Sequence, residues 1–108
     1  MTPLTLESPI LNIVIEVTPT VLLVRLRGEL DLSCVDLVTA VTTVESLEAA
    51  TVLVDLAELT FCDSAGVDAL LDLRAQQTAR GREVRLVNAQ PLLRRLFLAV
   101  GEDHCLAA

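Results

Sequence analysis

Two short runs, residues 21–27 and 51–56, limit the possible folds of this chain most severely. Each is rich in Val and Leu and too short for a buried helix, so each reads as a strand covered on both faces. The second, Thr51-Val52-Leu53-Val54-Asp55-Leu56, has the pattern of a central parallel strand. Parallel neighbours need crossover connections, and stretches of helical spacing stand on both sides of this run. The chain therefore reads as an α/β protein.

The other elements come from periodicity. Leu11, Ile13, Ile15 and Val17 alternate with Asn12, Val14 and Glu16, which predicts a half-buried strand, antiparallel or at an edge. Thr18-Pro19-Thr20 turns it into the run at 21–27, making a hairpin. Gly28 is expected to break that strand, with Glu29-Leu30-Asp31-Leu32 as a connection. Ser33, with Asp36 three residues later, suits the start of a helix whose stripe is Leu37, Ala40, Val41, Val44 and Leu47. After the strand at 51–56, a helix starting at Ser64 buries Val67, Leu70 and Leu71, shows Asp68 and Asp72 to solvent, and ends near Gly81. A strand at 83–88 precedes Pro91, which opens a last helix with Leu93, Leu96, Phe97 and Val100 on one face until Gly101 stops it. The order β-β-α-β-α-β-α implies a small mixed sheet with right-handed crossovers and helices packed on it.

At 108 residues there is room for one domain, residues 1–108, with one core. The net charge of -7 arises from 15 acids against 8 basic residues, all Arg, which disfavours nucleic acid as a partner. Two Phe with no Trp or Tyr leave no platform for base stacking either. No apolar run approaches the roughly 20 residues of a membrane span. The N-terminus lacks the basic and apolar regions of a secretory signal, so a cytoplasmic location is expected.

Three cysteines at wide spacing, Cys34, Cys62 and Cys105, fit neither a disulfide framework nor a zinc site and read as buried thiols. One redox pairing merits a test. Cys62 lies two residues before Ser64 and Cys105 near the chain end, where a disulfide would tether the tail to the Ser64 turn if the Cα atoms came within about 7 Å. His104, with no second histidine at ligand spacing, reads as solvent-exposed rather than a metal ligand. Arg94 and Arg95 read as a solvated helix face, because adjacent helical residues diverge. A Ser64, His104 and aspartate triad is disfavoured, since Cys62 stands where Gly-x-Ser-x-Gly needs glycine. No catalysis, metal or cofactor is implied.

The segment Phe61-Cys62-Asp63-Ser64-Ala65-Gly66-Val67 delivers a serine to a helix start. Amides at a helix N-terminus lack intrahelical partners and carry the positive end of the dipole, so an anion there is stabilised. Ser64 is thus a candidate phosphoacceptor, while Asp63 and Ser64 both also suit a plain N-cap.

Three segments together resemble the STAS domain family, and within it the bacterial anti-sigma-factor antagonists. Gly28-Glu29-Leu30-Asp31 resembles the family's Gly-Glu-Leu/Ile-Asp segment, and Asp63-Ser64-Ala65-Gly66 its Asp-Ser-[Ser/Thr/Ala]-Gly phosphorylation motif. Arg80-Gly81-Arg82-Glu83-Val84-Arg85-Leu86-Val87 and residues 92–101 resemble its Gly-x-strand segment and terminal Leu-rich helix. The likeness runs from about residue 10 to 105. It implies a partner-switching protein rather than an enzyme. Unphosphorylated, it would bind an anti-sigma factor serine kinase and release a sigma factor; phosphorylation at Ser64 would end the interaction, and a phosphatase would reset it. Partner contacts would fall on Asp31, Asp63, Ser64, Ala65 and Gly66, with Ala65 leaving no second hydroxyl beside Ser64. The family's other use of the fold, as a subunit of lipid-transport or other complexes without a phosphoswitch, is the alternative.

Overall fold

In a computed structural model that describes residues 3–44 and 49–107, a five-stranded sheet carries three helices. The chain runs β1 (Leu4–Glu7), β2 (Leu11–Val17), β3 (Val21–Leu30), α1 (Val35–Val41), β4 (Thr51–Cys62), α2 (Ser64–Ala79), β5 (Glu83–Val87) and α3 (Pro91–Ala99). Short 3-10 turns occupy Leu32–Cys34 and Asp103–Cys105. Strand order matches chain order, with β1, β2 and β3 antiparallel and β3, β4 and β5 parallel. This is the mixed α/β sheet that the sequence implies, extended by β1. β1 is four residues long and mostly exposed, which is why periodicity alone does not announce it.

The core lies on one face. Ile15, Val24, Val54 and Leu86 stand level across four strands, and all are buried. They join Val38 and Val41 of α1, Val67, Leu70 and Leu73 of α2, and Leu93 and Phe97 of α3 in one apolar cluster. The opposite face, including Val14, Leu23 and Leu53, is only half-buried, so β3 and β4 are not covered on both sides as their apolar runs suggest. β2 is antiparallel as expected, but β1 takes the edge.

Two strands outrun their sequence limits. β4 continues past Leu56 to Cys62, and its buried residues Leu56, Leu59 and Cys62 recur every third position. The cause is two bulges: from Arg25 to Arg27 on β3 the partner advances from Asp55 to Glu58, and from Gly28 to Glu29 it advances from Leu59 to Phe61. Each extra residue inverts the side-chain phase and hides the strand from an alternation test. The Asp55 carboxylate supports the first bulge, accepting from the Ala57 amide at 3.0 Å and the Asn88 side chain at 3.1 Å. Burial opposes its ionisation, yet these bonds and Arg25 hold its carboxyl below the usual range.

Gly28 does not break β3. It holds a positive φ of 104° and lets the Ile10 carbonyl sit above it, where that oxygen accepts from the Glu29 amide at 2.9 Å. A Cβ there would lie 2.3 Å from the Ile10 oxygen. α1 also starts differently from expectation: Asp31, not Ser33, caps the leading 3-10 turn, because the Ser33 hydroxyl and amide both donate to Asp31 Oδ1. Leu47 lies outside the described residues. α2 and α3 end as expected at Gly81 and Gly101, each closed by a pair of bonds, Gly81 to Thr78 with Arg82 to Gln77, and Gly101 to Leu98 with Glu102 to Phe97. In α2 Leu71 is only half-buried, and in α3 Val100 is exposed, standing at the cap beyond the last inward-facing turn.

Gly28→Ala should therefore be among the most damaging substitutions outside the core, since it adds both a strained φ and a backbone clash. A loss of about 2 kcal/mol or more is expected in urea unfolding, with m unchanged.

Candidate functional site

The carboxyl ends of β3 and β4 meet α2 and the first 3-10 turn. Leu30 and Cys62 are register partners, and the strand contact persists one step further, the Asp63 amide donating to the Leu30 carbonyl at 3.2 Å. Asp31 and Asp63 thus leave adjacent strands side by side. Each caps the turn of helix after it: Asp63 Oδ1 accepts from the Gly66 amide at 2.8 Å, and Asp31 Oδ1 from the Ser33 amide at 2.8 Å. Asp63 is extended, and α2 begins at Ser64.

Ser64 is exposed and its hydroxyl makes no hydrogen bond among the described residues. Ala65 is half-buried and Gly66 buried. The glycine is required by packing: a Cβ at Gly66 would lie 2.6 Å from Cys62 Sγ and 2.9 Å from both the Leu30 side chain and the Leu30 carbonyl. The first turn of α2 can approach the sheet this closely only without a side chain there.

Three exposed apolar side chains accompany this site, and sequence reasoning missed them. Leu32, next after Asp31, is 71% exposed; Phe61, just before Cys62, is 43% exposed. Leu92 of α3, 53% exposed, shares a shallow groove with Phe61, Thr60 and Gln90. Gln90 donates to the Ala57 carbonyl at 2.8 Å, so α3 stands beside the half of β4 that β5 does not reach. An apolar residue at a polar cap, as in Asp31-Leu32-Ser33, is the one local signal that points to such exposure.

A concavity of about 380 Å3 lies elsewhere, on the helix-free face around Val14, Arg25, Arg27, Asp55 and Glu58. Its charges pair internally, Arg25 with Asp55 and Arg27 with Glu58.

A family model of the STAS domain matches residues 12–106. The chain belongs to the STAS domain family. Among solved structures, this STAS domain is similar to the anti-sigma factor antagonist SpoIIAA, a Bacillus cell fate determinant, at 26% identity in both forms. The unphosphorylated form gives a TM-score of 0.73 over 88% of this chain and 85% of that one, and the phosphorylated form 0.69 over 88% of each. An anti-sigma factor antagonist from Mycobacterium paratuberculosis shares the fold at 21% identity and TM-score 0.69, covering 94% of this chain and 87% of the other. So does a sulfate transporter family protein from Wolinella succinogenes, at 17% identity and TM-score 0.72, covering 85% and 75%. No curated protein matches the sequence.

The structure brings Asp31, Cys62, Asp63, Ser64, Ala65 and Gly66 of the STAS domain into one place, and leaves Cys105 out of it. Leu106 bridges to Leu86, which is level with Val54 on β4, whereas Cys62 ends that strand roughly 20 Å further along at strand rise. Both thiols are free and buried, so the Cys62–Cys105 tether is not available to this fold. Arg94 is not a solvated residue either: it bonds the Ala89 carbonyl at 3.2 Å and the Ala107 carbonyl at 3.0 Å, clipping the tail to α3. Arg95 is exposed, as is His104. Among the described residues, no helix is long and apolar enough to cross a membrane.

Burial first, then the neighbouring Asp63 and Cys34, push the Cys62 thiol up to about 12. The unfolded thiol titrates near 9.0, so between there and about 12 the folded state binds the extra proton and stability falls as pH rises. Cys62→Ala should flatten that alkaline decline, measured as the urea midpoint against pH. Asp63→Ala should lower stability by about 1 kcal/mol in the same assay, and Asp63→Asn by markedly less, because asparagine also accepts from the Gly66 amide.

Proposed function

We propose that this STAS domain is an anti-sigma-factor antagonist which, unphosphorylated, binds an anti-sigma factor serine kinase and so releases a sigma factor. Phosphorylation of Ser64 by that kinase ends the interaction, and a phosphatase restores it. The domain acts by binding, not by catalysis. The observation that carries this reading is the unbonded, exposed Ser64 hydroxyl at the first position of α2, flanked by two capping aspartates and by exposed Leu32 and Phe61.

Those neighbours set the physical effect of the switch. A phosphoserine adds roughly -1.5 to -2 charge beside Asp31 and Asp63, in a surface whose apolar residues suit a partner that excludes water. Desolvating that charge, or setting it against an acidic partner patch, opposes binding. Within the domain the cost is small, because the first-turn amides and dipole of α2 favour an anion at that position. A switch that changes a surface and spares the fold is supported by SpoIIAA, whose two forms resemble this chain to nearly the same degree. Asp31, Asp63 and Ala65 would form the partner contact with Ser64, whereas Gly66, which the resemblance also places there, is buried against Leu30 and Cys62 and instead sets how closely that turn sits on the sheet.

The alternative is a constitutive subunit of a lipid-transport or other multiprotein complex, and the likeness to a sulfate transporter family protein favours it at the level of fold. Incubation with a cognate kinase and ATP, followed by intact-mass measurement, separates the two. One phosphate is expected on the wild type and none on Ser64→Ala. Calorimetric titration should show the phosphorylated protein binding the kinase at least tenfold more weakly, with Ser64→Glu intermediate. Unchanged affinity in both would favour the constitutive subunit.

A further inference from the structure

The turn after α3 holds three donor atoms in a nearly equilateral triangle. Glu102 Oε2 lies 3.5 Å from His104 Nε2 and 3.5 Å from Cys105 Sγ, and the thiol lies 3.6 Å from the same imidazole nitrogen. In a tetrahedral complex donors stand about 1.6 bond lengths apart, so zinc bonds of about 2.0–2.3 Å require donor separations of about 3.3–3.8 Å. The three edges of the triangle fall inside that window. We propose that Glu102, His104 and Cys105 form a divalent-metal site with a preference for Zn2+, its fourth position open to water.

The donor set argues for zinc over harder ions. A thiolate and an imidazole with one carboxylate match a borderline-soft cation, whereas Mg2+ and Ca2+ take oxygen ligands. With the thiol proton released to solvent, the complex with one thiolate and one carboxylate is formally neutral. That matters because Arg74 and Arg85 line the adjoining cleft of about 260 Å3, and a neutral centre does not repel them. The cleft also gives the fourth ligand its place.

The backbone already holds this geometry. The Glu102 amide donates to the Phe97 carbonyl at 2.8 Å, the Cys105 amide to the Glu102 carbonyl at 3.0 Å, and the Ala107 amide to the Leu86 carbonyl at 2.8 Å. The turn is thereby fixed to the end of α3 on one side and to β5 on the other. Cys105 is buried, while Glu102 and His104 reach solvent and give the ion a way in. A catalytic cysteine triad is a poorer reading of the same atoms: Glu102 and Cys105 both face Nε2, so the carboxylate does not orient the ring through its other nitrogen. The sequence passes over the site because the ligands sit at 102, 104 and 105 on a 3-10 turn, with no repeated zinc-finger spacing.

Titration of the reduced full-length chain with Co2+, using a phosphine reductant, tests the assignment. One equivalent should produce tetrahedral visible bands and a thiolate-to-cobalt charge-transfer band, both abolished by excess Zn2+. Cys105→Ser should remove the charge-transfer band, and His104→Ala and Glu102→Gln, both at solvent-reached positions, should each weaken binding at least tenfold with the circular dichroism spectrum unchanged. Zn2+ should raise the thermal midpoint of the wild type and not of His104→Ala. Absence of a thiolate band, its survival in Cys105→Ser, or unchanged affinity in the His104 and Glu102 variants would overturn the proposal.

Discussion

The close contact of Gly66 with Leu30 and Cys62 organises the whole Ser64 end of the molecule. It brings the first turn of α2 against the ends of two parallel strands, at a separation that no Cβ would permit. Once that turn is pressed down, Gly66 faces inward, Asp63 reaches its amide, and Ser64, two positions earlier, faces outward. The exposure of the hydroxyl is thus a consequence of burying the glycine. Ligand sites of parallel sheets recur at the carboxyl ends of strands for the same reason, since helix N-termini and strand ends converge there.

The bulges on β4 govern the surroundings of that hydroxyl. The first moves the inward set from Val52, Val54 and Leu56 to Leu59, and the second moves it back to Cys62. With the first bulge alone, Phe61 would point into the core and Cys62 away from it. The second returns Cys62 to the core, beneath Gly66, and leaves Thr60 and Phe61 outward. Gly28 accommodates the same irregularity on β3, with its carbonyl accepting from the Thr60 hydroxyl at 3.0 Å. The strand ends are therefore shaped by backbone insertions, which also account for an exposed phenylalanine near Ser64.

Charge is distributed unevenly over this acidic chain. Asp31 and Asp63 serve as caps beside Ser64, and no ion pair among the described residues involves either. Arginines bond elsewhere, on the open sheet face, at the end of α2 and against the tail. A phosphate at Ser64 would thus meet helix amides and aspartates, away from these arginine contacts, which suits a group whose effect is directed outward at a partner.

Features set by a few neighbouring residues could be read directly from the chain: the alternation of β2, the apolar start of β4, Pro91 opening α3, the stops at Gly81 and Gly101, and the serine at a helix start. The Asp63-Ser64-Ala65-Gly66 motif was legible for the same reason, since capping chemistry acts over three or four residues. Other features emerge only when the strands assemble. The length of β4, the inward turn of Cys62, the role of Gly28 beneath Ile10, the attachment of Arg94 to the tail and the separation of Cys62 from Cys105 all depend on how distant segments are brought into register. Register is a property of pairs of segments, fixed when the sheet buries one common face, and a single segment carries no record of the partner residue it will meet.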